Sequence, residues 1–139
     1  MPIVLKCHMG LGPAVTGTAL VAADNFSARY DLDRLAGTFS RPAHKLYGQS
    51  YLERILVLQT AKGGVASAWM LREMAARGMA PKAILFDRTN TILAQGAAFA
   101  ELTMMDRFEA GDPTTLIHTG DELQIEPGKG LVKILNRDA

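Results

Sequence analysis

The stretch Arg54-Ile55-Leu56-Val57-Leu58-Gln59, followed by Thr60-Ala61-Lys62-Gly63-Gly64 and a run from Val65 to Arg77, decides the fold. Ile55 to Leu58 are apolar without alternation, which predicts a strand covered on both faces. From Val65 the period changes. Met70, Leu71, Met74 and Ala75 share one helical face, and Arg72, Glu73 and Arg77 fall outside it, so the spacing predicts a helix over Val65–Arg77. Glu73 and Arg77 form a favourable i,i+4 pair on that helix. Gly78 stands where a C-terminal cap belongs, and Pro81 prevents continuation.

Outward from this unit, strands are predicted at Ile3–Lys6 and Val15–Ala22, the second between the turn-prone segments Gly10–Pro13 and Asp24–Asn25. Phe26–Ser50 is irregular, with Pro42, His44 and Gly48 in loop. Another strand is expected at Ala83–Phe86, and Ile92–Ala94 leads into a small-residue segment, Gly96–Ala100, read as a shorter second helix. From Gly120 to Leu135 the pattern alternates, with apolar Leu123, Ile125, Leu131, Val132 and Ile134, and Pro127-Gly128-Lys129-Gly130 turns between two closing strands. Residues 1–139 are expected to form one mixed β domain with helices packed on it.

The bulk numbers exclude several roles. The chain has 139 residues, 48% hydrophobic and 21% charged, with 15 Lys plus Arg against 14 Asp plus Glu. A net charge of +1 without a basic run leaves no footprint for nucleic acid or for an acidic membrane surface. No segment approaches the ~20 apolar residues that span a bilayer. Met1 to Cys7 lacks the basic region and cleavable apolar run of a secretion signal. One cysteine, Cys7, builds neither a disulfide framework nor a cluster site, and a cytoplasmic location is the expectation.

The loop between strand and helix carries the chemistry. Tandem glycines allow a tight turn with accessible N–H groups, and the following helix adds unpaired donors and the positive end of its dipole. Gly63 and Gly64 therefore suit a bound carboxylate or phosphate, with Lys62 as a nearby cation. Ser67, one turn into the helix, offers a hydroxyl to the same ligand. The competing reading is that the glycines only permit a sharp turn. The GxxxxGK[ST] spacing of a Walker A loop is missing.

With Leu46-Tyr47-Gly48-Gln49-Ser50 ahead of the strand, Gly78-Met79-Ala80-Pro81-Lys82-Ala83-Ile84 after the helix, then Ala94-Gln95-Gly96-Ala97 and Thr119-Gly120-Asp121, the chain resembles the aconitase X swivel domain. The resemblance implies a swivelling β/β/α domain, with a β-barrel-like core and one main helix, closing over a separately encoded large subunit in a heterodimer. It implies that this chain is inactive alone and holds no cofactor, the iron or iron–sulfur site lying on the large subunit. Members of that family dehydrate a hydroxyproline or phosphomevalonate, and a cis-3-hydroxyproline-like hydroxy acid is the expected substrate. The swivel domain of the family supplies a loop serine as base. Here Gly63 or Gly64 stands in that place, and glycine cannot take a proton. Ser67 is then the candidate base, with Lys62, Gly63 and Gly64 as substrate-binding residues. The alternative is a module of the same fold that docks without catalysis or binds a small carboxylate. Gly63 to Ala68 is also similar to phosphohistidine swivel domains, but Ala68 occupies the position their histidine requires, and His8, His44 and His118 all lie elsewhere.

The remaining candidates read as structural: Cys7 as an incidental thiol, His44 as a turn-bonding residue, Asp121 as part of a turn, and Arg88 as a solvated surface arginine. Trp69 suits either the core or a partner chain, and Met104-Met105 the core.

Overall fold

A computed structural model describes residues 3–8, 10–28, 30–62 and 65–137. The strands are β1 (Ile3–Lys6), β2 (Val15–Val21), β3 (Leu32–Asp33), β4 (Thr38–Phe39), β5 (Arg54–Thr60), β6 (Ala83–Arg88), β7 (Thr103–Met105), β8 (Glu122–Glu126) and β9 (Leu131–Asn136). The helices are α1 (Val65–Ala76), α2 (Thr91–Phe99) and the short α3 (Pro113–Leu116). Seven strands form one sheet in the order β1-β9-β8-β2-β5-β6-β7. The half from β2 to β7 is parallel, and the half from β1 to β2 through β9 and β8 is antiparallel. Two isolated bridges, Cys7 with Phe108 and Leu11 with Met104, join the ends of that order and wrap the sheet into a barrel.

Both faces of β5 are covered, as its unbroken apolar run requires. Ile55 and Val57 point into the barrel, among Leu85, Leu123, Ile125, Val132 and Ile134. Leu56 and Leu58 face outward into a second core with Ile84, Phe86, Phe26, Leu71 and Met74. The same alternation splits Leu85 from Phe86, and Met105 from Met104.

Helix α1 begins and ends within one residue of its predicted bounds. Its buried residues are Ser67, Leu71 and Met74, so the face toward the sheet includes a hydroxyl that the apolar stripe did not contain, whereas Trp69 points outward. Arg77 Nη2 lies 2.7 Å from Glu73 Oε1, and Gly78 takes the left-handed conformation at φ 70°. In α2 the helix starts earlier than its small-residue segment, because the Asn90 side chain accepts the Leu93 N–H at 2.7 Å and caps it. Gly96 is required there: a Cβ would stand 2.6 Å from the Ala68 Cα. The absence of that atom lets α1 and α2 touch backbone to backbone. Pro127–Lys129 forms a 3₁₀ turn between β8 and β9, and β3, β4, β7 and α3 are too short for a periodic signal.

Candidate functional site at the carboxyl ends of the parallel strands

Parallel strands share a direction, so the segments leaving β2, β5 and β6 emerge at one end of the sheet, where α/β architectures place ligands. The chain after β2 keeps pairing with β5: Phe26 N–H donates to the Thr60 carbonyl at 2.9 Å, and Lys62 N–H to the Phe26 carbonyl at 2.7 Å. On the other side, Ala61 N–H donates to the Arg88 carbonyl at 3.3 Å, and Asn90 Nδ2 donates to the Ala61 carbonyl at 3.4 Å. Thr60–Lys62 is thus gripped from both flanks. Lys62 is exposed, and its ammonium makes no hydrogen bond or ion pair among the described residues.

Asn25 is fixed at three points. Its N–H donates to Asp24 Oδ1 at 2.8 Å, its carbonyl lies 2.7 Å from His44 Nε2, and its Oδ1 accepts the Thr60 hydroxyl. The Leu46 N–H donates to His44 Nδ1 at 3.0 Å, so the ring hydrogen sits on Nε2 and points at Asn25. His44 stacks on Phe39 with ring centroids 4.7 Å apart, and Phe39 meets Tyr51 edge-on.

Beneath this turn lies a buried polar group. The Ser67 and Ser27 hydroxyls are 3.4 Å apart, with exposures of 1% and 6% that put both out of solvent. Ser27 N–H donates to Asp31 Oδ2 at 2.8 Å, Arg41 Nε donates to Asp31 Oδ1 at 2.5 Å, and His44 Nε2 stands 3.9 Å from the same carboxylate. Burial pushes Asp24 upward. The N–H groups of Lys45 and Asn25, with His44 and Arg41 nearby, outweigh that push and hold it below the usual carboxylate value. Burial, with Asp106 and Glu109 nearby, raises the Cys7 thiol to about 11, so it stays protonated.

Of the residues chosen from sequence, Lys62 lies at this end with its side chain outward, and Ser67 lies under it, turned toward Ser27. Gly63 and Gly64 fall outside the described residues. In the sequence Asp24–Asn25 reads as a turn, Thr60 enters only as the first residue of the glycine loop, and nothing marks Ser27, Asp31, Arg41 or Asn90 as functional. The signal available was an Asp-Asn pair beside Phe26 and Ala28, two residues that are fully buried. His44, Arg88 and Asp121 behave as the sequence suggested: His44 bonds a turn, Arg88 is exposed, and Asp121 accepts the His118 N–H and pairs with Arg137.

The outer faces of α1 and α2 leave an apolar groove beside the site, lined by Val65, Trp69, Ile92 and Phe99 with Arg72 over the Trp69 ring at 5.6 Å. Trp69 is 61% exposed and Phe99 74%, a large apolar area for a surface. Among the described residues no three His, Cys, Asp or Glu side chains are arranged to hold a metal ion.

A family model described as the aconitase X swivel domain matches residues 4–134. Among curated relatives, the phosphomevalonate dehydratase small subunit of Methanocella arvoryzae is 28% identical over 94% of this chain and 98% of its own. That of Archaeoglobus fulgidus is 32% identical over 86% and 89%. Among solved structures, the crystal structure of Thermococcus kodakaraensis aconitase X in its holo form matches with a TM-score of 0.88 and 25% identity, covering 96% of this chain and 99% of that one. The solution NMR structure of a UPF0107 protein matches at 0.84 and 29%, covering 96% and 100%.

Proposed function

The chain belongs to the aconitase X swivel domain family, and on that premise we propose that it is the small subunit of an aconitase X type hydro-lyase. The observation that carries this reading is a family match spanning residues 4–134, coincident with a lysine at the carboxyl ends of the parallel strands that is unpaired among the described residues. The substrate is a β-hydroxy carboxylate. cis-3-Hydroxyproline and phosphomevalonate, the compound in the relatives' names, share that group. A base removes the proton next to the carboxylate, the β-hydroxyl departs as water, and a carbon–carbon double bond forms.

Within this chain, Lys62 with Gly63 and Gly64 binds the anionic end, and Ser67 is the candidate base. Acting as base requires the Ser67 hydroxyl to rotate about χ1 from Ser27 toward the substrate. The large subunit supplies the iron or iron–sulfur site and seats against this chain in the cytoplasm, and the exposed Trp69–Phe99 groove supports such docking. The test is co-purification with the large subunit, followed by turnover on a panel of β-hydroxy acids. Ser67→Ala should abolish turnover without loosening the complex; full activity in that variant assigns the base to the partner. A second reading, a binding or docking module without catalysis, is favoured by the glycines that stand at the usual serine position. It predicts stable association without turnover, or carboxylate binding by this chain alone.

A further inference from the structure

Two asparagines stand at the site end of the sheet, and their amides are used differently. In Asn90 both ends are engaged: Oδ1 accepts the Leu93 N–H at 2.7 Å and Nδ2 donates to the Ala61 carbonyl at 3.4 Å. In Asn25 the backbone N–H, the carbonyl and Oδ1 are all taken, by Asp24, His44 and Thr60. Its Nδ2 has no partner among the described residues, and it is not among the buried atoms left unsatisfied, so the amide nitrogen is not sealed from solvent. An amide clamped at three points with its donor end open has little freedom left to lose when a ligand binds.

We propose that Asn25 is a substrate-binding residue whose Nδ2 donates hydrogen bonds to a carboxylate oxygen of the ligand, an inference that rests on the hydro-lyase reading above. Three observations select a carboxylate acceptor. The Thr60 hydroxyl, donating to Oδ1, turns the amide so that only N–H groups face outward. Phe26, the next residue, accepts the Lys62 N–H at 2.7 Å, which ties Asn25 and the unpaired lysine to one strip of backbone. The carboxylates of this region, Asp24 and Asp31, are turned into the fold by Lys45, Arg41 and Ser27, so they do not compete for the open donor. His44 and Thr60 act on the ligand only through Asn25 and are positioning residues.

The experiment uses the complex with the large subunit, assayed on 5-phosphomevalonate and cis-3-hydroxyproline. Asn25→Ala should raise KM about ten- to a hundred-fold with kcat within a few-fold, the loss expected for one hydrogen bond to a charged group. Asn25→Asp, close in shape but anionic, should raise KM further, and Thr60→Val should raise it by less than Asn25→Ala. An Asn25→Ala complex with the KM of wild type overturns the inference and leaves the hydro-lyase reading standing. A wild-type complex inactive on both compounds sinks that reading instead. Asn25 is then judged by its side-chain amide resonance in the nitrogen-15-labelled chain titrated with the same two acids. A saturable shift of that resonance, assigned by its absence from the Asn25→Asp spectrum, supports the donor role, and an unmoved resonance overturns it.

Discussion

One sheet divides two apolar cores, and they are specified in different ways. Inside the barrel, Ile55, Val57, Leu123, Ile125, Val132 and Ile134 interlock from strands whose pattern alternates or runs apolar. Outside it, Leu56, Leu58, Phe86, Leu71 and Met74 pack against Phe26, Phe39 and Tyr51, which come from a segment with hardly any regular structure. That segment is held by buried polar contacts: His44 to Asn25, Asp31 to Ser27 and Arg41, and Ser67 to Ser27. Periodicity builds the inner core and hydrogen bonding shapes the outer one. The candidate site sits on the outer side, where a residue can change without breaking a ladder.

The contrast predicts a graded series. Ile55→Ala, at 0% exposure inside the barrel, should cost about 2–5 kcal/mol in urea-induced unfolding. Next comes Gly96→Ala, whose added Cβ meets Ala68 backbone and side chain at 2.6 and 2.7 Å; forcing α1 and α2 apart should cost about 1–3 kcal/mol. His44→Ala leaves the Asn25 carbonyl and the Leu46 N–H unpaired, and should also cost about 1–3 kcal/mol. If His44→Ala proves as costly as Ile55→Ala, the two cores are not specified differently and the comparison fails.

Acid should sharpen the same comparison. Asp24 beside the outer core and Asp121 beside the barrel are both held below their unfolded values. For Asp121, burial pushes upward, but the Arg137 hydrogen bonds and the His118 N–H outweigh it. A depressed folded value means that the stabilisation is complete above an unfolded pKa of about 3.9 and is lost as pH falls through the folded value. Melting temperature should therefore drop below about pH 4, and Asp24→Asn and Asp121→Asn should each flatten that fall. The smallest effect belongs to the exposed Glu73–Arg77 pair, where Arg77→Ala should change stability by about 0.3–0.5 kcal/mol at most, read by thermal melting at low salt.

The sequence was legible where one physical cause dominates. An apolar run marked β5, a 3.6-residue period marked α1, and alternation marked β8 and β9. It was silent where the cause is a contact between distant residues. Thr103–Met105 becomes a strand because β6 lies beside it, and three residues are too few to show a period. The site divides in the same way. Lys62 stood out because it adjoins tandem glycines, whereas Asn25 gains its interest only when His44, 19 positions away, and Thr60, 35 away, close upon it. Ser67 was chosen for its distance from the loop, and only the packing of α1 shows its hydroxyl directed at Ser27.

The pairing of β1 with β9 sets Ile3 opposite Ile134, and Leu5 opposite Val132. Contacts so far apart in sequence raise the contact order, and loop-closure entropy must be overcome before they form. Barrel closure should accordingly be a late step in folding, and during synthesis β1 waits for its neighbour until β9 has left the ribosome. Refolding should be slow for a domain of this size, with β1 the last strand to gain protection from hydrogen exchange.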